Sequence, residues 1–215
     1  MEQSEERNKW LEARKHGIGG SDAACVIGKN PYKTNVELWE EKTGIKEIED
    51  ISGKDAVKYG KEAEKYLRGL FELDYPKYEV SYDEYGMIAN LKKYPFIFAT
   101  LDGTLEEKET GCKGILEIKT TKIHRKEQYN NWNNKVPDHY YIQLIHQLLA
   151  TGYDFAVMKA QIKTEYYRNL KIESRHYFIQ RKDVINDINY LLREEIKFWD
   201  CVKNKKMPDL ILPQI

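Results

Sequence analysis

The sequence predicts an α/β protein of the mixed α+β kind, in which helices flank a central mixed β-sheet. Residues 55–73, 136–151 and 182–202 place apolar side chains at helical spacing. Residues 78–121 instead hold short apolar runs separated by turn residues, a pattern typical of strands. Because the chain has no internal repeat, low-complexity tract or Gly/Ser linker, we expect one domain over residues 1–215.

Three short helices are predicted in the first fifty residues, over 5–15, 23–27 and 34–42. The glycine-rich segment 16–20 separates the first two, since three glycines within four residues break a helix. Ser21 is interpreted as the N-cap of the second helix. Thr34 opens the third helix because a glutamate follows it at the spacing of a capping box.

Strands are predicted at 78–82, 86–90, 96–105, 114–121, 155–162 and 175–179. The charged segment 106–113 is interpreted as the turn of a hairpin that joins the third and fourth of these strands. The long helices at 55–73, 136–151 and 182–202 complete the pattern, so strands and helices alternate in the second half of the chain.

Composition excludes several classes of protein. Hydrophobic residues make up 41% of the chain and charged residues 33%, which indicates a globular protein. No apolar stretch approaches the roughly 20 residues of a membrane span. The charged start has no apolar region of the secretory type, and the three cysteines are far apart, so we expect a reducing, cytoplasmic setting.

The net charge of the chain is zero, with 35 basic and 35 acidic residues. This balance argues against a protein that coats nucleic acid through bulk charge. It permits a local basic groove around an acidic metal site, because such an arrangement also sums to zero.

The most informative segment is Gly114–Thr121, an apolar strand interrupted by Glu117 and Lys119. Side chains alternate along a strand, so the two charges share one face while Leu116 and Ile118 pack on the other. Burying such charges is costly unless they pair or bind a metal. The Glu-x-Lys pattern occurs four times in the chain, so an exposed salt bridge at a sheet edge is the competing interpretation.

Asp102 ends the apolar run 96–101 and precedes Gly103, which also fits an ordinary Asp-Gly turn. Hairpin pairing of this run with the next strand would bring Asp102 beside Glu117. Two carboxylates, a main-chain carbonyl and waters suit Mg²⁺ or Mn²⁺. A nearby lysine would stabilise negative charge on a phosphate, so the combination favours metal-assisted phosphodiester hydrolysis.

Two helices carry further polar candidates. Glu64 borders the apolar stripe of the helix at 55–73, with Glu62 as a close competitor. Gln143 and Gln147 stand four residues apart and therefore share a face of the helix at 136–151. Amides on an otherwise apolar helix indicate either a polar pocket or an ordinary buried hydrogen bond.

In combination, these segments resemble a known family. Asp102, followed by Glu117-Ile118-Lys119, matches the D…ExK core of the PD-(D/E)xK nucleases, with Leu101 where the named motif has proline. The wider pattern is similar to the YqaJ-type viral recombinase, or lambda-exonuclease-like, family. The matching segments, in the family's order, are Trp10-x-x-x-Arg14-x-x-Gly17-Ile18-Gly19-Gly20-Ser21-Asp22-Ala23-Ala24, Gly60-x-x-x-Glu64 and Tyr141-x-Gln143 ahead of Thr151-Gly152.

The resemblance implies a restriction-endonuclease-like core and a Mg²⁺-dependent 5′-to-3′ exonuclease, with Mn²⁺ as a substitute. Such an enzyme digests one strand of linear double-stranded DNA and leaves a 3′ single strand. The resemblance therefore implies DNA ends as substrate and a single-strand annealing recombinase as partner. Relatives can form trimeric rings, which implies a homo-oligomer.

The same resemblance assigns roles to individual residues. Metal ligation falls to Asp102, Glu117 and the main-chain carbonyl of Ile118, and the catalytic set also contains Glu64, Lys119 and Gln143. Lys119 would position the nucleophilic water. Arg14 and Ser21 would hold the 5′-terminal phosphate, a role that suits the forked donors of a guanidinium.

Two other functions stay open at this point. An endonuclease with the same core would use the same carboxylates but would need no phosphate pocket at Arg14 and Ser21. A catalytically silent DNA-binding module would keep the fold and bind DNA without hydrolysis. A serine or cysteine hydrolase has no support, because no histidine lies in a recognisable nucleophile motif.

The remaining part of the chain is less informative. A basic stretch either lines a DNA groove or forms a solvated sheet edge. It comprises Lys159, Lys163, Arg168, Lys171, Arg175, Arg181 and Lys182, interleaved with tyrosines. The apolar tail at 207–215 either packs on the core or docks on a neighbouring subunit.

Overall fold

A five-stranded mixed sheet lies at the centre of the structure, a computed structural model that describes residues 2–166 and 169–212. The strands are β1 (Tyr78–Ser81), β2 (Gly103–Glu107), β3 (Lys113–Ile123), β4 (Phe155–Tyr166) and β5 (Asn169–Gln180). They follow one another across the sheet in chain order. Only β3 and β4 pair in parallel, and the other neighbours are antiparallel. The predicted fold class is therefore confirmed.

Helices cover both faces of this sheet. They are α1 (Glu2–Lys15), α2 (Gly20–Val26), α3 (Asn35–Thr43), α4 (Asp55–Asp74), α5 (Lys126–Asn130), α6 (Asp138–Thr151) and α7 (Ile185–Lys203). The parallel pairing of β3 with β4 requires a long crossover, which α5 and α6 supply. None of the helices in the described part of the chain is long and apolar enough to cross a membrane.

The alternation of side chains along β3 separates two layers of core. Leu116 and Ile118 pack with Leu67 and Phe71 of α4 on one face, as predicted. On the other face, Ile115 joins the larger cluster that α6 completes. The face of β3 that carries Ile115 and Glu117 therefore packs against α6.

The glycine-rich segment before α2 packs side by side with residues 96–98. The Ile18 amide donates to the Phe96 carbonyl at 2.7 Å, and the Phe98 amide donates to the Ile18 carbonyl at 3.2 Å. A Cβ atom on Gly17 would lie 2.4 Å from the Phe96 carbonyl oxygen, so only glycine permits this approach. The contact fixes the end of α1 and the start of α2 beside the segment that leads into β2.

A buried ion pair joins α6 to α7. His146 Nδ1 lies 2.6 Å from Glu195 Oε1, and neither side chain is exposed. His146 Nε2 lies 2.8 Å from the Phe98 carbonyl oxygen, which can only accept, so this nitrogen carries a proton. The pair thus connects two helices to the segment that leads into β2.

The predicted strand at 86–90 is wrong, and the one predicted at 96–105 is confirmed only for residues 103–105, which begin β2. Ile88 and Ala99 form one isolated antiparallel bridge, and Ile97 forms another bridge with Ile18. Regular strand pairing begins only at Gly103. Before it, residues 96–102 contact the segments around Ile18 and Ile88, and each contact is a single bridge because neither segment is a regular strand.

Other boundaries differ for local reasons. The strands predicted at 155–162 and 175–179 extend to Phe155–Tyr166 and Asn169–Gln180, because hairpin pairing continues beyond their apolar residues. The last helix begins at Ile185 rather than at 182, after one turn of 3₁₀ helix. The short helix α5 was not predicted at all, and its five residues include none that is buried.

Gly114 offers a test of how β3 packs on β4. A Cβ atom at Gly114 would lie 2.3 Å from the ring of Phe155, its partner in the parallel register. Gly114→Ala is therefore expected to lower the free energy of unfolding by about 1–3 kcal/mol, measured by urea denaturation. The matched control is Gly69→Ala in α4, where nothing lies near the added methyl group and a gain of up to about 1 kcal/mol is expected. Unchanged stability of Gly114→Ala would contradict this packing.

Candidate active site

Glu117 lies in the middle of the sheet with 2% of its surface exposed. Its Oε1 atom is 2.6 Å from Lys119 Nζ and accepts a hydrogen bond from Gln143 Nε2 at 2.6 Å. Its Oε2 atom accepts from Gln147 Nε2, also at 2.6 Å. The interpretation of an exposed edge salt bridge is therefore wrong, since the pair is enclosed by α6. Both glutamines bind this carboxylate.

Asp102 reaches the same place from β2. It directly precedes this strand instead of ending an earlier one, which corrects the predicted boundary. The register pairs Gly103 with Leu116, so Asp102 arrives at the level of Glu117. One carboxylate oxygen of Asp102 accepts a hydrogen bond from the Ile118 amide at 2.8 Å. The hairpin argument for adjacent carboxylates is confirmed.

A third carboxylate comes from α4. Glu64 is half-buried and lines the same cleft as Asp102 and Lys119, whereas its competitor Glu62 is exposed. Arg68, one helical turn later, donates from Nε to the main-chain carbonyl of Asp102 at 2.6 Å. Its guanidinium carbon lies 3.6 Å from the centroid of the Tyr82 ring. Arg68 was not predicted, and its spacing of four residues from Glu64 was the available signal.

Burial and mutual repulsion disfavour the charged forms of the clustered carboxylates. Burial and the charge of Glu117 hold the pKa of Asp102 well above its ordinary value, although Lys119 opposes them. Burial also raises the pKa of Glu64, with Lys119 again opposing and Glu117 contributing. Burial lowers the pKa of Lys119, but Glu117 and Asp102 outweigh it and raise this pKa. Lys119 thus acts on all three carboxylates, and Arg68 and Lys61 also act on Glu64.

The donor chemistry of this cluster suits a hard divalent cation, because all three acidic groups offer oxygen. Among the residues that the structure describes, no group of three or more His, Cys, Asp or Glu side chains is placed so that its side chains alone could hold a metal ion. An ion would therefore need main-chain oxygen and water besides the carboxylates. Such incomplete protein ligation is usual for Mg²⁺, which keeps several waters.

A cleft of about 540 Å³ opens above the carboxylates. Its other wall is one face of α1, which presents Arg7, Trp10 and Arg14. Arg14 Nη2 donates to Ser21 Oγ at 3.2 Å, and the Arg14 guanidinium carbon lies 4.5 Å from the centroid of the Trp10 ring. The structure therefore brings Arg14 and Ser21 together, with Arg14 lining the cleft. Arg7 and Trp10 were missed as site residues, although they share helical spacing with Arg14.

Ser21 does not cap α2 as predicted. The N-cap is Gly19, and Ser21 lies within the first turn. The Asp22 carboxylate accepts from the Gly19 amide at 3.2 Å and pairs with Lys42 at 2.8 Å. The hydroxyl of Ser21 is consequently engaged by Arg14 and not by the helix.

Most of the basic stretch is engaged within the protein. Lys159 is buried and pairs with Asp74 at 3.3 Å, so it lines no groove. Lys171 and Arg175 both pair with Glu173. Arg168 lies outside the described residues.

The tail docks on its own chain at residues 209–211. The Asn35 side chain donates to the Asp209 carbonyl at 2.8 Å and accepts from the Ile211 amide at 2.9 Å. The first of the two predicted alternatives is therefore confirmed for residues 209–211, and residues 213–215 lie outside the described part.

The sequence comparison decides the family. Residues 9–154 match the model of the YqaJ-like viral recombinase domain. The chain belongs to this family. A curated relative, the uncharacterised protein YqaJ of Bacillus subtilis (strain 168), is 30% identical over 196 residues, which cover 90% of the chain. The match covers 56% of that relative, so the chain spans little more than half of its length.

Solved structures support the fold of this YqaJ-like domain. The alkaline exonuclease LHK-Exo from Laribacter hongkongensis superposes with a TM-score of 0.68 at 20% identity, covering 93% of this chain and 94% of the other. The same enzyme in complex with dAMP gives a TM-score of 0.63 at 19% identity, with the same coverage. The fold is therefore that of the alkaline exonucleases.

Proposed function

We propose that this YqaJ-like protein is a Mg²⁺-dependent 5′-to-3′ exonuclease that digests one strand of linear double-stranded DNA. One observation carries the proposal. A single cleft is lined by Glu64, Asp102 and Lys119 on one side and by Arg14 on the other. The first group continues to Glu117, which pairs with Lys119, and the second to Ser21, which accepts a hydrogen bond from Arg14. The first group is equipment for phosphodiester hydrolysis, and the second is suited to a terminal phosphate.

Asp102, Glu117 and the main-chain carbonyl of Ile118 are the groups proposed to hold the metal ion. Bound there, Mg²⁺ would supply Lewis-acid stabilisation of the phosphate and a water of lowered pKa. The ion would also reduce the repulsion among these carboxylates, whose charged forms burial and the neighbouring carboxylates disfavour.

Lys119 is proposed to hold the attacking water and to stabilise charge on the scissile phosphate. Its hydrogen-bond distance from Glu117 keeps the ammonium at the mouth of the cleft, and the raised pKa of Lys119 keeps it charged. Gln143 and Gln147 fix the orientation of the Glu117 carboxylate from below. This support leaves the carboxylate plane with little freedom to rotate.

Arg14 and Ser21 are proposed to recognise the 5′-terminal phosphate. A guanidinium binds phosphate through paired donors, and the serine hydroxyl adds one more. Recognition of a terminal phosphate would direct the enzyme to DNA ends. An endonuclease cuts within the strand and therefore needs no group that binds a terminal phosphate. This pair therefore favours the exonuclease over the endonuclease.

The relatives add support of a coarser kind. LHK-Exo is described as an alkaline exonuclease and has been crystallised with dAMP, a nucleoside monophosphate of the type that exonucleases release. The family description names a viral recombinase domain. We accordingly propose that the 3′ single strand is passed to a single-strand annealing recombinase and that the protein acts as a homo-oligomeric ring.

Digestion of DNA in Mg²⁺ and in EDTA tests the proposed function. Linear duplex labelled at one 5′ end should lose its label in Mg²⁺ only, while covalently closed circles stay intact. Lys119→Met should abolish the loss. The matched control Lys122→Met, an exposed lysine of the same strand that pairs with Glu165, should retain it.

Each other outcome points to a different function. Cutting of circles would favour the endonuclease. No cutting of either DNA by folded protein, with Mg²⁺ or Mn²⁺ present, would favour the silent DNA-binding module.

A further inference from the structure

A line of aromatic rings leads from Lys119 to the protein surface. Lys119 Nζ lies 5.3 Å from the centroid of the Tyr140 ring, and the Tyr140 and His139 rings are 4.0 Å apart. The Tyr32 ring follows at 6.2 Å from His139, nearly perpendicular to it. Tyr32 is 84% exposed. The proposed chemistry assigns no role to Tyr32, His139 or Tyr140.

Of these three rings, His139 lines a second cleft of about 330 Å³, and Pro31, which precedes Tyr32, lines it as well. Lys29, Lys135 and His139 contribute to its lining, together with Asp138, whose carboxylate lies 4.0 Å from Lys29 Nζ. His139 Nε2 is buried and has no hydrogen-bond partner among the described residues. Burial and the charge of Lys119 lower the pKa of His139, so the ring is predominantly neutral at pH 7. The cleft therefore combines cationic side chains with an unpaired ring nitrogen.

The exposed ring of Tyr32 is held by a defined turn. The side-chain oxygen of Asn30 accepts from the Tyr32 amide at 2.8 Å and from the Lys33 amide at 3.2 Å. Pro31 lies between Asn30 and Tyr32, and its ring restricts the backbone of this turn further. Because the loop is already ordered, stacking on this ring would require little loss of backbone entropy.

The chemistry of this surface matches one kind of ligand. Unpaired bases stack on aromatic rings, and the phosphates that link them pair with lysines. A base-paired duplex hides its base faces, so rings at this place cannot stack within it. Continuity with Lys119 places the surface beside the phosphate that is to be cut.

We propose that Tyr32, His139 and Tyr140, with Lys29 and Lys135, bind an unpaired stretch of DNA next to the scissile phosphate. The proposal rests on the proposed nuclease function, because it takes the position of the phosphate from Lys119. Beyond that function, the proposal names single-stranded DNA as the ligand of the second cleft. Tyr32 and His139 supply the stacking faces, and the two lysines bind the backbone.

Binding of single-stranded DNA in EDTA tests this surface without hydrolysis. The probe is a fluorescent oligothymidylate of about eight nucleotides, followed by anisotropy. Tyr32→Ala should weaken its affinity about 5- to 100-fold, the range expected for one lost stacking partner. Tyr32→Phe keeps the ring and should bind like the wild-type protein. The matched control is Tyr66→Ala, which removes another exposed tyrosine from α4 and should leave the affinity unchanged.

Several outcomes would overturn the proposal. Unchanged affinity of Tyr32→Ala, an equal loss in Tyr66→Ala, or failure of the wild-type protein to bind the probe would each do so. Thermal melting checks that the variants fold, and Tyr32 is too exposed to support the core. If the protein cuts DNA but binds the oligothymidylate independently of Tyr32, only the proposed single-strand surface is contradicted. If the protein binds the oligothymidylate through Tyr32 but cuts no DNA, the single-strand surface stands and the proposed nuclease function is contradicted.

Discussion

Asp102→Asn is expected to abolish DNA cleavage and, in the absence of metal, to stabilise the folded protein. The loss of cleavage should reach about a thousandfold or more, because a metal-binding carboxylate is removed. The gain in stability follows from the charge cluster. Asparagine keeps an oxygen for the Ile118 amide but removes the negative charge that burial and Glu117 disfavour.

The sign of the pH dependence follows from the raised pKa of Asp102. Between its ordinary value near 4 and its higher value in the folded protein, the folded state binds more protons than the unfolded state, so stability falls as pH rises. Asp102→Asn removes this loss. At pH 8 in EDTA, its free energy of unfolding should exceed that of the wild-type protein, and the difference should be smaller at pH 5.

Urea denaturation at pH 5 and pH 8, beside a cleavage assay, measures both effects. Asp183→Asn is the control, since Asp183 is an exposed aspartate in the 3₁₀ turn before α7, and it should change neither cleavage nor stability. Retained cleavage in Asp102→Asn would remove Asp102 from the catalytic set. A loss of stability at both pH values would contradict the electrostatic account.

Glu195→Leu is expected to destabilise the protein by about 3–5 kcal/mol at pH 6, the usual effect of removing one partner of a buried ion pair. The substitution leaves the His146 imidazolium without a counter-charge inside the protein. Glu194→Leu is the matched control, one residue earlier in α7. Its exposed pair with Lys197 should be worth less than about 1 kcal/mol.

His146 also makes a pH-dependent contribution. Burial lowers its pKa, but Glu195 and the Phe98 carbonyl outweigh burial, with a further contribution from Asp22, so the pKa is raised. The stabilisation is therefore complete below the ordinary value of about 6.5 and is lost as pH rises through the folded value. Glu195→Leu should abolish this loss between pH 6 and pH 9 in urea denaturation. A variant as stable as the wild-type protein at pH 6 would contradict the ion pair.

Local sequence pattern was sufficient for the centre of the site. Alternation along β3 put Glu117 and Lys119 on one face, and the hairpin argument put Asp102 beside them. Helical spacing paired Gln143 with Gln147, although the sequence alone left their partner open. These predictions succeeded because each depends on the periodicity of one element or on one short connection.

Features that depend on contacts between distant segments were not predictable in this way. Residues 96–102 look like a strand, yet they pack against the glycine-rich segment near residue 18, which no local pattern reveals. Arg68 bonds to a main-chain carbonyl, and such an acceptor has no sequence signature. The capping role of Ser21 failed because α2 already begins at Gly20, with Gly19 as its N-cap, so that Ser21 lies inside the helix.

The short hairpin that carries Asp102, Glu117 and Lys119 has a consequence for the order of folding. Its strands are close in sequence, so their pairing closes a short loop and is expected early. The amides of Gln143 and Gln147 reach Glu117 only when α6 docks, after the crossover from β3. We therefore expect the repelling carboxylates to be assembled first and oriented last, so that the catalytic geometry reports on completion of the whole fold.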